Sequence, residues 1–338
     1  MDDVSPTGPQ ELDVHLGRLV KALISGRDVV PFLGAGVNLF ERPRLEAGQQ
    51  PGDKKPYVPG EYLPNGVELA EYLKSRFAFP ATADTTKDLL RVSQYVAVTE
   101  GPGALYEELH TVFDVDYPPT ALHRLLAELP SLLERITGER RYQLILTTNY
   151  DDALERAFIE AGEPFDVVAY IADDGKYSGK FWHWPHGGEK ARVIKVPNKY
   201  KDVSREDRTV ILKLHGAVDR SQKSPRDSYV ITEGHYIRYL VQGEIKRLIP
   251  ALLADELSQS HMLFLGYGMR DWNVRVLLHT MWNEPLRWHS WAIQDEVSPL
   301  DKAFWKSQEL TVLEEDLQAY VPLLRQRLEA ELPEAEAA

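Results

Sequence analysis

His215, Asn149 and Asp151 each stand just after an apolar run, and each is a side chain able to handle a proton or a sugar hydroxyl. His215 follows Val210–Leu214 and precedes Gly216, which places its imidazole at the carboxyl end of a predicted strand. A histidine with its ordinary pKa of about 6.5 is suited to taking a proton at neutral pH. The other reading open to an isolated histidine is a core position satisfied by its neighbours. Asn149 and Asp151 fall within Thr147-Thr148-Asn149-Tyr150-Asp151, the polar turn that ends the run Tyr142–Leu146. With two donors and an acceptor, Asn149 can hold a sugar hydroxyl and a water together. It is equally a residue type that caps a helix, with Asp152 at the capping-box position. Asp151 carries the same pair of readings: a first-turn acid favoured by the helix dipole, or an acceptor for a sugar hydroxyl.

Two glycine turns complete the set. Gly34-Ala35-Gly36-Val37-Asn38 follows the apolar run Asp28–Leu33, in which Pro31 suggests an edge strand or a strained position. Glycines there let backbone amides approach a phosphate beside the positive end of a helix. A dinucleotide fingerprint asks for a third glycine at position 39, where the chain has Leu39, so a plain strand-to-helix turn is an even alternative. Gly266-Tyr267-Gly268, leading into Met269-Arg270-Asp271-Trp272-Asn273, permits close contact with a ribose or an adenine; otherwise Asp271 simply caps the next helix. His183 and His186 flank Trp184-Pro185, but the proline prevents one helical face, so an aromatic lid or loop packing is expected there in preference to a metal site.

These turns need a frame to hold them. Tyr142–Leu146 reads as a buried parallel strand, and the helical spacing of Ala153, Leu154, Ala157 and Phe158 starts a helix at Asp151. Such strand–turn–helix units place ligands at the carboxyl ends of the strands. Further strands are predicted at Phe165–Ile171, Val210–Leu214, Ser228–Ile231, His261–Leu265 and Trp288–Ile293. Helices are predicted at 11–25, 65–77, 86–98, 104–113, 120–129, 232–240, 243–257, 271–280, 300–305 and 314–330. The alternation predicts an α/β protein: a Rossmann-like, doubly wound, mainly parallel sheet with helices on both faces and a small helical and loop cap. One domain is expected over 10–330, with a helical cap inserted at about 65–130, a loop insertion at about 172–208 and flexible tails at 1–9 and 331–338. The Pro- and Gly-rich stretch Arg42–Pro64 is expected to be a mobile lid or a substrate-facing loop.

Composition narrows the function. At 338 residues, with 43% apolar and 27% charged side chains, the chain has the make-up of a soluble globular protein. Its net charge of −13 argues against direct nucleic-acid binding, which needs a basic face. The absence of cysteine excludes disulfides, thiolate zinc sites, iron–sulfur clusters and cysteine nucleophiles. No apolar run reaches the ~20 residues of a membrane helix, and the acidic start Met1-Asp2-Asp3 is unlike a signal peptide, so a cytoplasmic protein with no membrane contact is expected.

Together, GAGVN at 34–38, TTNYD at 147–151, LHG at 214–216 and FLGYGMRDWN at 264–273 resemble the sirtuin-like domains of bacterial anti-phage NAD hydrolases. The resemblance covers about residues 28–295. It implies that Gly34, Ala35 and Gly36 contact the pyrophosphate of NAD+, that Asn149 and Asp151 hold the nicotinamide ribose, and that His215 is the catalytic base. Gly266, Tyr267 and Gly268 would line the adenosine pocket, with Val37, Asn38, Thr148 and Asp271 as further cofactor-binding positions. Asn38 stands where the family usually has serine, and the four-cysteine zinc module of the protein deacetylases of this fold is missing. The resemblance thus implies cleavage of NAD+ to nicotinamide and ADP-ribose, with NAD+ as substrate and no metal, in preference to acyl-lysine chemistry. It also implies an NAD-depleting effector of anti-phage defence, gated by homo-oligomerisation or by a protein activator such as a hexameric DNA-translocating ATPase or a short prokaryotic Argonaute. The stretches 42–64 and 172–208 are the candidate gates. The rivals are a non-catalytic module sensing NAD or ADP-ribose, an ADP-ribosyltransferase and a deacylase.

Overall fold

The computed structural model describes residues 9–39, 41–43, 57–80, 87–173, 175–188, 190–220, 226–241, 247–269, 278 and 286–333. Among them the chain runs α1 (Pro9–Ile24), β1 (Val29–Leu33), α2 (Gly66–Arg76), α3 (Leu89–Thr99), α4 (Pro102–Phe113) and α5 (Ala121–Thr137). It continues through β2 (Leu144–Thr147), α6 (Ala153–Ala161), β3 (Phe165–Tyr170), β4 (Phe181–Trp184), β5 (Arg192–Ile194), β6 (Thr209–Lys213), β7 (Gly216–Ala217) and β8 (Ser228–Tyr229). The last elements are α7 (Glu233–Val241), α8 (Ala251–Gln259), β9 (His261–Leu265), β10 (Ser290–Gln294), α9 (Pro299–Lys306), β11 (Leu310–Glu314) and α10 (Leu317–Glu329).

Nine strands form one sheet in the order β11-β10-β9-β1-β2-β6-β3-β4-β5. The seven from β11 to β3 are parallel, and β4 and β5 add an antiparallel ribbon beyond β3. The strands read as continuous apolar runs because both faces are covered. Val30, Phe32, Leu144, Leu146, Leu212 and Phe264 point into one core, roofed by α7, α8 and α9. Their neighbours Val29, Leu33, Ile145, Ile211, Leu263 and Leu265 point into the other, beneath α1, α5, α6 and α10. A third core lies inside α2–α4 and closes on Ala153, Val218, Tyr229 and Ile231. The expected fold class is the observed one.

β1 is the hub. β2, β6 and β3 lie to one side of it, β9, β10 and β11 to the other, so the direction of winding reverses between β1 and β9. A doubly wound sheet opens a crevice at the carboxyl ends of the strands at that reversal. Here those ends carry Gly34-Ala35-Gly36 and Gly266-Tyr267-Gly268.

Several local expectations change. Pro31 occupies the central strand, not an edge: the ladder to β9 spans Val29–Leu33, whereas that to β2 covers only Phe32 and Leu33. Leu33 O accepts from Thr148 N at 3.2 Å, so odd-numbered residues of β1 face β2 and the missing amide of Pro31 falls just before that ladder begins. Residues 172–208, expected to be a loop, contain β4 and β5, with Phe181, Trp182 and His183 buried in succession. Burial on both faces erased the alternation that would have marked a strand. His183 is fully buried, 3.0 Å from Asp166 Oδ2 and 2.7 Å from the Tyr200 hydroxyl. The backbone amide of His186 donates to Asp166 Oδ1 at 2.7 Å, so this histidine pair staples the sheet edge. β11 sits within a stretch that reads as a connector and the start of a helix; the helix itself begins at Leu317. α5 packs on the sheet with α6, leaving α2–α4 as the cap proper. Residues 1–8, 44–56 and 334–338, and the helix expected over 271–280 apart from Leu278, lie outside the described residues.

Candidate active site

The turn after β2 is built from its own side chains. Thr147 Oγ1 donates to Leu33 O at 3.0 Å and accepts from Asn149 N at 3.0 Å, which ties the turn to β1. The Asn149 amide donates to Gly34 O at 3.3 Å, reaching across to the first glycine turn. It does not cap α6: the residue before that helix is Asp152, without a side-chain cap bond, and Asp151 Oδ1 accepts from Ala153 N at 3.1 Å. The other oxygen, Asp151 Oδ2, accepts from Asn38 Nδ2 at 3.0 Å. Of the two readings open to Asn149, the geometry leaves its amide facing the crevice.

His215 leaves β6 on a backbone that only glycine can continue. Gly216 has φ +89°, and a Cβ there would lie 2.0 Å from Ser228 O. The His215 carbonyl accepts from Val230 N at 2.8 Å, and the ring meets Tyr236 and Tyr239 edge-on at centroid distances of 5.4 and 5.8 Å. Its Nε2 has no hydrogen-bond partner among the described residues. Burial pushes the imidazole pKa down to about 3, so the ring is neutral at physiological pH.

The two glycine turns are docked backbone to backbone. Gly34 N donates to Leu265 O at 2.9 Å and Gly36 N to Gly266 O at 3.0 Å. A Cβ on Gly34 or Gly36 would sit 2.6 or 2.7 Å from Gly266 O, and one on Gly266, at φ +71°, would be 2.4 Å from Val37 N. These glycines are thus required by contact between turns, while Gly268 faces open space. The Tyr267 ring packs edge-on to Phe32 at 4.8 Å, and its hydroxyl shares a hydrogen bond with Thr148 Oγ1 at 2.8 Å.

A cavity of about 820 Å³ opens over these turns, within the range of about 300–1,000 Å³ usual for small-molecule sites. Ala35, Gly36 and Asn38 line it from the first turn, and Thr148, Asn149 and Asp151 from the second. His215 joins them, as do Gly266, Tyr267 and Gly268. Gly34 lies behind the wall and Val37 is wholly within the core, neither lining the cavity. Asp271 lies outside the described residues. The opposite wall, which sequence reasoning did not foresee, comes from the cap through Asn65, Gly66, Lys87 and Phe113, with Tyr150 and Tyr236 also lining the cavity. Tyr150 sat inside a motif already singled out; the others carry no local signal, because folding alone brings the cap over the sheet.

Beneath the floor lies a charge that the apolar run Val210–Leu214 concealed. The Lys213 side chain is 1% exposed; its Nζ donates to the Asp151 carbonyl and lies 2.6 Å from Glu155 Oε1. Burial raises the pKa of Glu155, and Lys213 opposes that rise. The pair links β6, which leads to His215, to the turn that carries Asn149 and Asp151.

The parallel sheet has its crevice at the winding reversal, with two docked glycine turns and Asn149, Asp151 and His215 lining one cavity there. Residues 143–313 match the SIR2-like domain family, half of the chain, and the chain belongs to it. Among named relatives it is similar to Defense-associated sirtuin 2 of Bacillus subtilis, 23% identical over 211 residues, which are 62% of this chain and 16% of that protein. It is also similar to NAD(+) hydrolase ThsA of Acinetobacter baumannii (strain 532279), 26% identical over 269 residues, 79% of this chain and 42% of the relative. The chain therefore spans less than half the length of either relative.

Proposed function

We propose that this chain is an NAD+ glycohydrolase that releases nicotinamide and ADP-ribose. The observation that carries the reading is that Asn149, Asp151 and His215 line one cavity at the winding reversal, with His215 Nε2 buried and unpartnered among the described residues. The similarity to a protein named as an NAD(+) hydrolase supports it. In NAD+ the pyridinium nitrogen is cationic, so the bond from C1′ to that nitrogen breaks with its electron pair passing to nicotinamide, which leaves neutral without an acid. Water adds to the oxocarbenium-like C1′ and gives up a proton. Asn149 orients that water, Asp151 accepts from the ribose hydroxyls, and His215 Nε2 takes the proton. The cap excludes bulk water from the reacting carbon.

His215 sets the pH dependence. Its pKa is lowered in the folded chain, so the neutral, proton-accepting form persists as pH falls below the ordinary value of 6.5 towards about 3. The expected result is a kcat/KM for NAD+ that stays level between about pH 8 and pH 5; a half-point between 6 and 7 would contradict the buried, neutral imidazole. So low a pKa also makes a weak base, and this favours the rival reading of a non-catalytic module that senses NAD or ADP-ribose. Incubating the purified chain with NAD+, alone and with the product of its neighbouring gene, separates the two. Released nicotinamide supports the hydrolase, bound and intact NAD+ the sensor, and label transferred to a macromolecule an ADP-ribosyltransferase.

The biological setting follows from the reaction. Unrestrained NAD+ loss would starve the host cell, so such an enzyme must be held inactive until a signal arrives. The name of the Bacillus relative supports a role in defence, and anti-phage action with NAD+ depletion as the effector step is part of the proposal. Control by homo-oligomerisation, or by an activator such as a DNA-translocating ATPase or a short Argonaute, is part of the same proposal. No described helix is long and apolar enough to cross a membrane.

A further inference from the structure

NAD+ carries a diphosphate, and three amides of the glycine turn expected to receive it are already bonded within the fold. The amides of Gly34, Gly36 and Val37 donate to Leu265 O, Gly266 O and Gly34 O at 2.9, 3.0 and 3.2 Å. Gly34, Gly36 and Gly266 are explained by that docking, since a Cβ at any of them meets backbone within 2.7 Å. On the sheet side the cavity presents the Asp151 carboxylate and a His215 ring held neutral by burial, so this wall supplies no positive charge to a dianion. Among the described residues lining the cavity, Lys87 is the one lysine or arginine. It comes from the cap, one residue before Asp88, whose carboxylate is turned to the Leu90 amide at 2.9 Å to start α3. Lys87 is exposed and makes no ion pair with a described residue.

We infer that the cap, through Lys87, provides the counter-charge for the diphosphate of the dinucleotide, a role the glycine turn is not free to fill alone. The inference rests on the reading of the cavity as an NAD+ site. It makes dinucleotide affinity depend on the cap as well as on the sheet. An ammonium facing a phosphate in a partly wet cleft contributes enough for about a tenfold or larger change in affinity.

The test is binding of ADP-ribose by calorimetry, which needs no turnover, with nicotinamide riboside as the ligand that lacks the diphosphate. K87A should bind ADP-ribose at least about tenfold more weakly than the wild type, K87R within about threefold of it, and nicotinamide riboside affinity should shift less than about twofold in either. Raising salt should weaken ADP-ribose binding more in the wild type than in K87A. ADP-ribose binding by K87A within twofold of wild type would overturn the inference. So would an equal loss of both ligands, which marks a displaced cap and not a lost charge. A wild-type chain that binds ADP-ribose yet releases no nicotinamide from NAD+ removes the hydrolase reading and leaves the Lys87 comparison standing.

Discussion

Asn149→Ala is expected to slow nicotinamide release from NAD+ by at least ~100-fold while leaving the fold almost untouched. The two effects separate because the amide does little for stability. Its bond to Gly34 O is 3.3 Å long, and α6 is started by Asp151, not by Asn149. Losing such a bond costs about 1 kcal/mol. In the proposed reaction the same amide orients the attacking water, and misplacing the nucleophile forfeits the advantage of proximity. Steady-state kinetics beside urea denaturation decides the matter. If turnover of the pure variant stays within threefold of wild type, Asn149 is not the residue that places the nucleophile.

Lys213→Met should lower stability by about 3–5 kcal/mol, because it strands Glu155. That carboxylate faces Lys213 Nζ at 2.6 Å in the wild type, and its second oxygen has no partner among the described residues. Removing the ammonium leaves a desolvated charge and also takes the donor from the Asp151 carbonyl. Replacing both partners with methionine should recover most of the stability, since a buried ion pair is often no better than apolar packing of similar volume. The double variant should nonetheless turn over more slowly than the wild type, because the Asp151 carbonyl loses its donor from β6. Equilibrium unfolding of the single and double variants measures the coupling. A single variant that loses less than 1 kcal/mol would show that water reaches Glu155 and that the pair is not a structural clamp.

The legible parts of this protein are those whose meaning is local. Val29–Leu33 and His261–Leu265 read as buried strands because unbroken branched and aromatic side chains fit a sheet covered on both faces. The glycine turns and the Asn–Asp turn could be found because each breaks such a run with residues that strands avoid. The same reasoning missed β4, β5 and β11. β4 and β5 lack the alternation of a half-buried strand, and the loop packing expected of His183 is set by Asp166 and Tyr200, which enclose it.

Sequence alone determined the α/β class, the positions of the four turns and the exclusion of all cysteine chemistry, because backbone conformation and side-chain type are set residue by residue. Tertiary structure decided which alternative each turn took. Asn149 is released from capping because Asp151 performs that task, and the glycines of the two turns serve each other because β1 and β9 lie side by side. It also decided that the imidazole of His215 is neutral and that a lysine from the cap looks down on the same cavity. Proximity across more than a hundred residues and the removal of water are products of packing, and no single stretch of the chain carries them.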